Sequence, residues 1–305
     1  MPGAYRGIGT GGRKLAQVTF AERALTLECG GETLVGILAE PASPADVGVL
    51  IIVGGPQYRA GSHRQFVLLS RQLAAGGVAA MRFDYRGMGD ATGSPSSFDD
   101  VVEDIAVAID KMRACHPSLK QIVLCGLCDA ASASLIYWQA RRDTRIGGMV
   151  LLNPWVRSEA SLGRARIKHY YGRRLFEKDF WTKLARGRVQ AGKGIREVIG
   201  DFLATRRTKT APSAGGPAFQ DRMATGLRTF DGPVLVILSG RDLTAKEFLD
   251  YGASNPQWRG LLDRANVSRH DMNDADHTFS SHLWRREVEM TVLAWLRRSF
   301  APGFE

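Results

Sequence analysis

From Ala24 onward the chain alternates short apolar runs with longer stretches in which apolar residues recur every three or four positions. The first pattern is that of buried strands, the second that of helices lying on a sheet. Residues 24–28 and 33–39 read as an opening hairpin, and GVLIIV (48–53) as a buried strand closed by Gly54-Gly55-Pro56. Residues 62–75 are expected to be helical, and VAAMRFD (78–84) to be the next strand. Between Phe98 and Arg113, Val101, Val102, Ile105, Ile109 and Met112 keep helical spacing. Strand 121–125, helix 129–141 and strand 148–152 follow. After Asn153-Pro154 the strand rhythm stops, and it resumes only at PVLVILSG (233–240); helix 245–251, a short strand near 267–272 and helix 284–299 close the pattern.

Strands alternating with helices imply an α/β fold, a mostly parallel sheet with helices on both faces. The expected organisation is a disordered tail over 1–20, an α/β core over 21–154 and 231–305, and a helical lid over 155–230 inserted after the sixth strand. The tail contains Gly7, Gly9 and Gly12 in the spacing of a dinucleotide fingerprint. That motif needs a strand before it and a helix after it; neither is expected here, so it is set aside.

The segment QIVLCGLCDAASASL (121–135) carries the chemistry. An apolar run ends near Gly126, Cys128 follows, and small residues lead into a helix. This is the layout of a nucleophile elbow, the strand–turn–helix that exposes one reactive side chain above an α/β-hydrolase sheet. The apex, which is Ser in G-x-S-x-G, is here Cys128, and Gly126 and Ala130 meet the need for small neighbours in a tight turn. A thiol nucleophile needs a base, and the base an orienter. In this fold they follow the nucleophile in the order acid, then His. Asp242, directly after the strand 233–239, and His277, in the loop before the last helix, satisfy that order. Asn153, at the end of the preceding strand, is a rival orienter, and Asp242 can equally cap the helix that follows it. Cys128 can also be read as a small buried hydrophobe, and Cys125-x-x-Cys128 as a redox pair, although Cys125 lies inside the strand.

An oxyanion hole would combine the amide of Asp129, next to the nucleophile, with one from the loop after strand 48–53. Pro56 has no N–H, so Gln57 is expected to supply it, with Gly55 as the alternative. Tyr58, Arg59 and Trp155 stand beside these positions and are candidate substrate contacts. The thiolate suits soft carbonyls such as thioesters, whereas a charge on Asp129 pointing inward would oppose it.

These residues also sit in longer stretches that resemble a known family. VGGPQYRAGSHRQFVLLSRQLA (53–74), MRFDYRGMGD (81–90), GLCDAASA (126–133), LLNPWVRSEASLGRARIKHYY (151–171), LSGRDLTAKEFL (238–249) and ADHTFSSHLWRREV (275–288) are similar to the type 1 hydrolase associated with the exosortase A system. The resemblance spans most of the chain beyond the tail. It implies an α/β-hydrolase with Cys128, Asp242 and His277 as nucleophile, acid and base. It also implies an accessory role in bacteria that make exopolysaccharide and sort exported proteins. It names no substrate.

Charge sharpens the picture. The chain of 305 residues carries a net +10. Residues 155–230 alone hold 17 Lys/Arg against 6 Asp/Glu, leaving 24 basic and 25 acidic residues elsewhere. A net +11 in the expected lid suits an anionic substrate or partner: a phosphopantetheine thioester, an acidic acyl carrier protein, or a polyanionic glycan. It equally suits a solvated set of helices, whose apolar faces would hold Tyr170, Tyr171, Phe176, Phe180 and Trp181. Membrane contact would be peripheral at most. No nucleic-acid motif accompanies the charge. No metal cluster or phosphate loop is read, so no cofactor is expected. Four cysteines without a disulfide framework and no secretory signal make the cytoplasm the expected location. The expected activity is acyl hydrolysis, of the esterase or thioesterase kind. Its alternatives are acyl transfer to a sugar or lipid-linked acceptor, or a silent hydrolase fold acting as an assembly partner.

Overall fold

The computed structural model describes residues 20–55, 57–156 and 217–300. Within them eight strands form one sheet: β1 (Phe20–Cys29), β2 (Glu32–Pro41), β3 (Val47–Ile52), β4 (Ala79–Asp84), β5 (Gln121–Leu127), β6 (Ile146–Leu152), β7 (Val234–Ser239) and β8 (Val267–Met272). Their spatial order is β1-β2-β4-β3-β5-β6-β7-β8. The hairpin β1–β2 joins β4 antiparallel. From β4 to β8 every pairing is parallel. The expected α/β-hydrolase sheet is therefore present. β1 starts at Phe20, four residues before the expected hairpin, because its outer half pairs with β2 while leaving side chains in water.

The central strands are buried on both faces, and their apolar runs are nearly continuous for that reason. Alternation along β3 sends Leu50 and Ile52 to one face and Val49 and Ile51 to the other. The first face is covered by α2 (Val102–Cys115), α3 (Asp129–Arg141), α4 (Phe219–Thr229) and α5 (Leu243–Ser254), through residues such as Ile105, Leu135, Leu227 and Phe248. The second face is covered by α1 (Gln65–Ala75) and α6 (His282–Ser299), through Phe66, Leu73, Val292 and Leu296. Truncating one of these fully buried aliphatic side chains to Ala would cost ~2–5 kcal/mol.

Two helix starts differ from the sequence expectation. α1 begins at Gln65 because His63 and Arg64 take left-handed backbone angles in a short turn after Gly61. α2 begins at Val102, since Phe98 to Val101 still belong to the loop. The stretch expected as a lid lies outside the described residues from 157 to 216. Its last part is α4, whose Met223, Ala224 and Leu227 are buried among the residues of the α3-side core. No described helix is long and apolar enough to cross a membrane.

Candidate active site

β5 ends at Leu127 and α3 begins at Asp129, which leaves Cys128 alone at the turn. Its backbone sits at φ 62° and ψ −122°, a conformation that costs a residue with a side chain ~1–3 kcal/mol. A Cβ on Gly126 would fall 2.4 Å from the Ala130 carbonyl carbon, so the approach of strand to helix requires glycine there. Hydrogen bonds to the exit of β6 hold the strained turn. The Cys128 N–H donates to the Leu152 carbonyl at 2.9 Å, and the Cys128 carbonyl accepts from the Trp155 N–H at 3.1 Å. Ser132 Oγ donates to the Trp155 carbonyl at 2.6 Å, which fixes Trp155 beside the elbow through its main chain. Cys128 is partly exposed, whereas Cys125 is buried and its thiol is pushed up to about 12 by burial.

Asp242 leaves β7 and caps α5, accepting from the N–H groups of Thr244 and Ala245 at 3.0 and 3.2 Å. The same carboxylate meets His277 Nδ1 at 2.8 Å. Capping and orienting thus coexist on one side chain. The Asp242 bond first, and the neighbouring Cys128 next, push the imidazole up to about 10 against the opposing effect of burial. Cys128, His277 and Asp242 are brought together as the chain order suggested.

The His277 loop is built by its neighbours. Asp276 accepts from the N–H groups of Thr278 and Ser280 at 3.2 and 3.0 Å. Burial pushes the Asp276 carboxyl up, but these bonds and one from the Ser280 hydroxyl outweigh it, so the group sits below the usual range. Ser239 Oγ donates to the Asp276 carbonyl at 2.8 Å. Asn153, the rival orienter, is buried and does not bond the imidazole; its amide donates to the His277 main-chain carbonyl at 3.0 Å and to Ser239 Oγ at 2.9 Å.

The loop after β3 places the two amides weighed for the oxyanion hole differently. The Gln57 N–H is engaged by the Gly55 carbonyl at 2.7 Å. The Gly55 N–H faces the elbow and donates to Asp129 Oδ2 at 2.8 Å. Burial raises the Asp129 carboxyl above the usual range, against the amides of Gly55, Ala130 and Asp129 itself and the charge of His277. Burial likewise pushes the Tyr85 phenol up, and the Asp129 charge adds to the effect.

Arg59 is turned inward. Its guanidinium pairs with the buried carboxylate of Asp84 and lies 2.8 Å from Asp90. Its N–H donates to Asp84 Oδ1 at 2.7 Å. Tyr58 lies under the Arg59 guanidinium at 4.2 Å, bonds Asp90 through its hydroxyl, and leaves its ring exposed. Sequence reasoning therefore placed Arg59 near the site but missed its structural pairing. The signal for that pairing in the sequence is the two aspartates of MRFDYRGMGD, Asp84 and Asp90. Among the described residues, no group of three His, Cys, Asp or Glu side chains converges to hold a metal ion.

Residues 47–248 match the family described as serine aminopeptidase, S33. The chain belongs to this family. The family's description names a serine enzyme; at the turn between β5 and α3 this chain has Cys128. No curated protein matches the chain significantly. Among solved structures, an esterase of Pyrococcus furiosus is similar with TM-score 0.62 at 14% identity, over 92% of each chain. Est1E of Butyrivibrio proteoclasticus, solved with ferulic acid bound, gives TM-score 0.58 at 16% identity, over 91% of this chain and 100% of that one. An α/β serine hydrolase without a lid from Xanthomonas campestris gives TM-score 0.53 at 17% identity, over 91% and 94%. At such identities the likeness establishes the shared α/β-hydrolase fold.

Proposed function

We propose that this S33-family protein is an acyl hydrolase, esterase- or thioesterase-like, that works through an acyl-enzyme on Cys128. The observation that carries the reading is the hydrogen bond between His277 Nδ1 and Asp242 at 2.8 Å, with Cys128 at the elbow the next group acting on the imidazole. The esterases among its structural neighbours support the same bond class.

The steps follow from the geometry. The Cys128 sulfur attacks the acyl carbon, forming the C–S bond and moving the carbonyl π electrons onto oxygen, while the thiol proton passes to His277. The amides of Gly55 and Asp129 are the candidate donors to that developing charge. When the tetrahedral species collapses, the bond to the leaving alcohol or thiol breaks and His277 returns its proton to that group. Water then attacks the thioester, giving its proton to His277, and the carboxylic acid leaves as the Cys128 thiol is restored. Asp242 holds the imidazole in one tautomer throughout.

The net +11 of residues 155–230 supports an anionic or carrier-bound acyl substrate. The resemblance to the exosortase A-associated hydrolases supports a setting in exopolysaccharide production. The test is intact-mass measurement after incubation with activated acyl esters and thioesters, with Cys128→Ala as control. One acyl adduct on the wild type and none on the variant is expected. Its decay in water against added alcohols separates hydrolysis from transfer. No adduct from any ester or thioester, with a thiol that alkylates normally, would reject the enzyme reading.

A further inference from the structure

We propose that the Asp129 carboxyl group stands at the oxyanion position of the resting site, so that an acyl carbonyl must displace it before attack. The inference rests on the acyl-transfer reading above and deepens it, because it makes Asp129 a residue that decides which substrates react.

The geometry is specific. Asp129 is the first residue of α3, where an acidic side chain ordinarily points to solvent and simply complements the helix end. Here it leans back over the end of β3. Its Oδ2 accepts from the Gly55 N–H at 2.8 Å and its Oδ1 from the Ala130 N–H at 2.9 Å. Of the two amides that would stabilise a tetrahedral oxyanion, that of Gly55 is therefore already given to this carboxyl group, which the Ala130 amide holds from the other side. A Cβ at Gly54 would lie 1.8 Å from Asp129 Oδ1. No side chain at position 54 can coexist with this rotamer, so the exit of β3 has the shape that admits the carboxyl.

The chemical consequence follows from charge. Amides aimed at a developing oxyanion lower the barrier only if the ground state leaves them for the transition state. A carboxylate already holding one of them competes with the carbonyl oxygen, which bears far less charge before attack. Small activated esters, with little binding surface elsewhere, displace it poorly. A substrate anchored by its remaining groups can use that binding to bring its carbonyl into the cradle. Asp129 thus selects for larger, well-anchored acyl donors and suppresses reaction with small ones.

The experiment compares wild type, Asp129→Ala and Asp129→Asn in binding a trifluoromethyl ketone, whose adduct with Cys128 places an oxyanion in the cradle and is read by fluorine NMR. The expected result is binding at least about tenfold tighter in Asp129→Ala, the scale of one charge-assisted hydrogen bond released to the ligand. Asp129→Asn keeps the volume without the charge and carries the same comparison if the Ala variant fails to fold. A second readout needs no acyl chemistry: the ratio of Cys128 alkylation by iodoacetate to that by iodoacetamide. Removing a carboxylate beside the sulfur raises this ratio by about tenfold, whereas a merely structural loss at the helix start changes both reagents alike. Equal ketone affinity across the three proteins, with adducts in all, would overturn the proposal and leave the acyl-transfer reading standing. No ketone adduct in any of them, with normal alkylation, would reject the acyl-transfer reading and this proposal with it.

Discussion

The Asn153 side-chain amide donates to the main-chain carbonyl of His277 at 3.0 Å, across 124 residues of sequence. Its Oδ1 accepts from the Ser239 N–H at 2.8 Å, so one side chain joins the ends of β6 and β7 to the His277 loop. Asn153 takes a positive φ of 43°, which Asn tolerates better than most residues. It holds His277 through the backbone and makes no hydrogen bond to the ring.

Asn153→Ala should accordingly lower stability by ~2–4 kcal/mol, from buried partners left unsatisfied and from the backbone angle. It should also lower kcat by about tenfold or more, with KM little changed, because His277 loses its fixed placement. Urea unfolding and steady-state kinetics check both. A variant with native kcat would show that the loop holds itself.

Asp242→Asn separates the two duties of that residue. Asn is as good a helix cap as Asp, so Thr244 keeps its acceptor and α5 should stay folded. The imidazole, however, loses the carboxylate that fixes its tautomer, and turnover should drop by ~10³–10⁴. Circular dichroism and acyl-ester turnover decide the matter. A large loss of helix with proportionate loss of activity would mean that the cap is the residue's main contribution.

The proton on His277 links stability to pH. Its folded pKa is about 10 against an ordinary 6.5, so the folded state binds the proton more tightly than the unfolded one. The contribution is full below pH 6.5 and is lost as pH rises through about 10. The stability advantage of wild type over His277→Gln should shrink across that window. NMR titration of the ring should show the pKa falling in Cys128→Ala and falling further in Asp242→Asn, because Asp242 raises it more than Cys128 does. A gap in stability that stays constant with pH would refute the linkage.

Arg59→Ala tests whether that residue serves the loop or the substrate. Asp84 is fully buried, and removing the partner of a buried charge costs ~3–5 kcal/mol. The melting temperature should fall by several degrees, with KM for neutral and anionic acyl substrates moving together. A selective rise in KM for anionic substrates, with unchanged melting, would restore Arg59 as a substrate contact.

What could be read along the chain was what short stretches dictate. The apolar runs of β3 to β7 announce a sheet covered on both sides, because period and burial are local consequences of pleat and helix geometry. The strand–Gly126–Cys128–Ala130–helix sequence specifies its own turn, and Asp242 stands at a strand end where a cap is needed. Those features single out Cys128, Asp242 and His277 as candidates from the sequence alone. Partner choice among polar side chains was not legible in this way, since it depends on which groups the fold brings together from afar. Asp129 could have faced solvent, and packing of β3 against β5 turned it onto Gly55, 74 residues away. Arg59 was exposed as far as its neighbours in sequence could tell, until β4 delivered Asp84 beside it. α4 read as one more basic helix of an insertion, because its basic residues are visible in the sequence while the α3 surface that buries Met223 and Leu227 is not. Hydrophobic period and turn chemistry act over a few residues; hydrogen-bond pairing and electrostatic environment are settled by contacts across the whole fold.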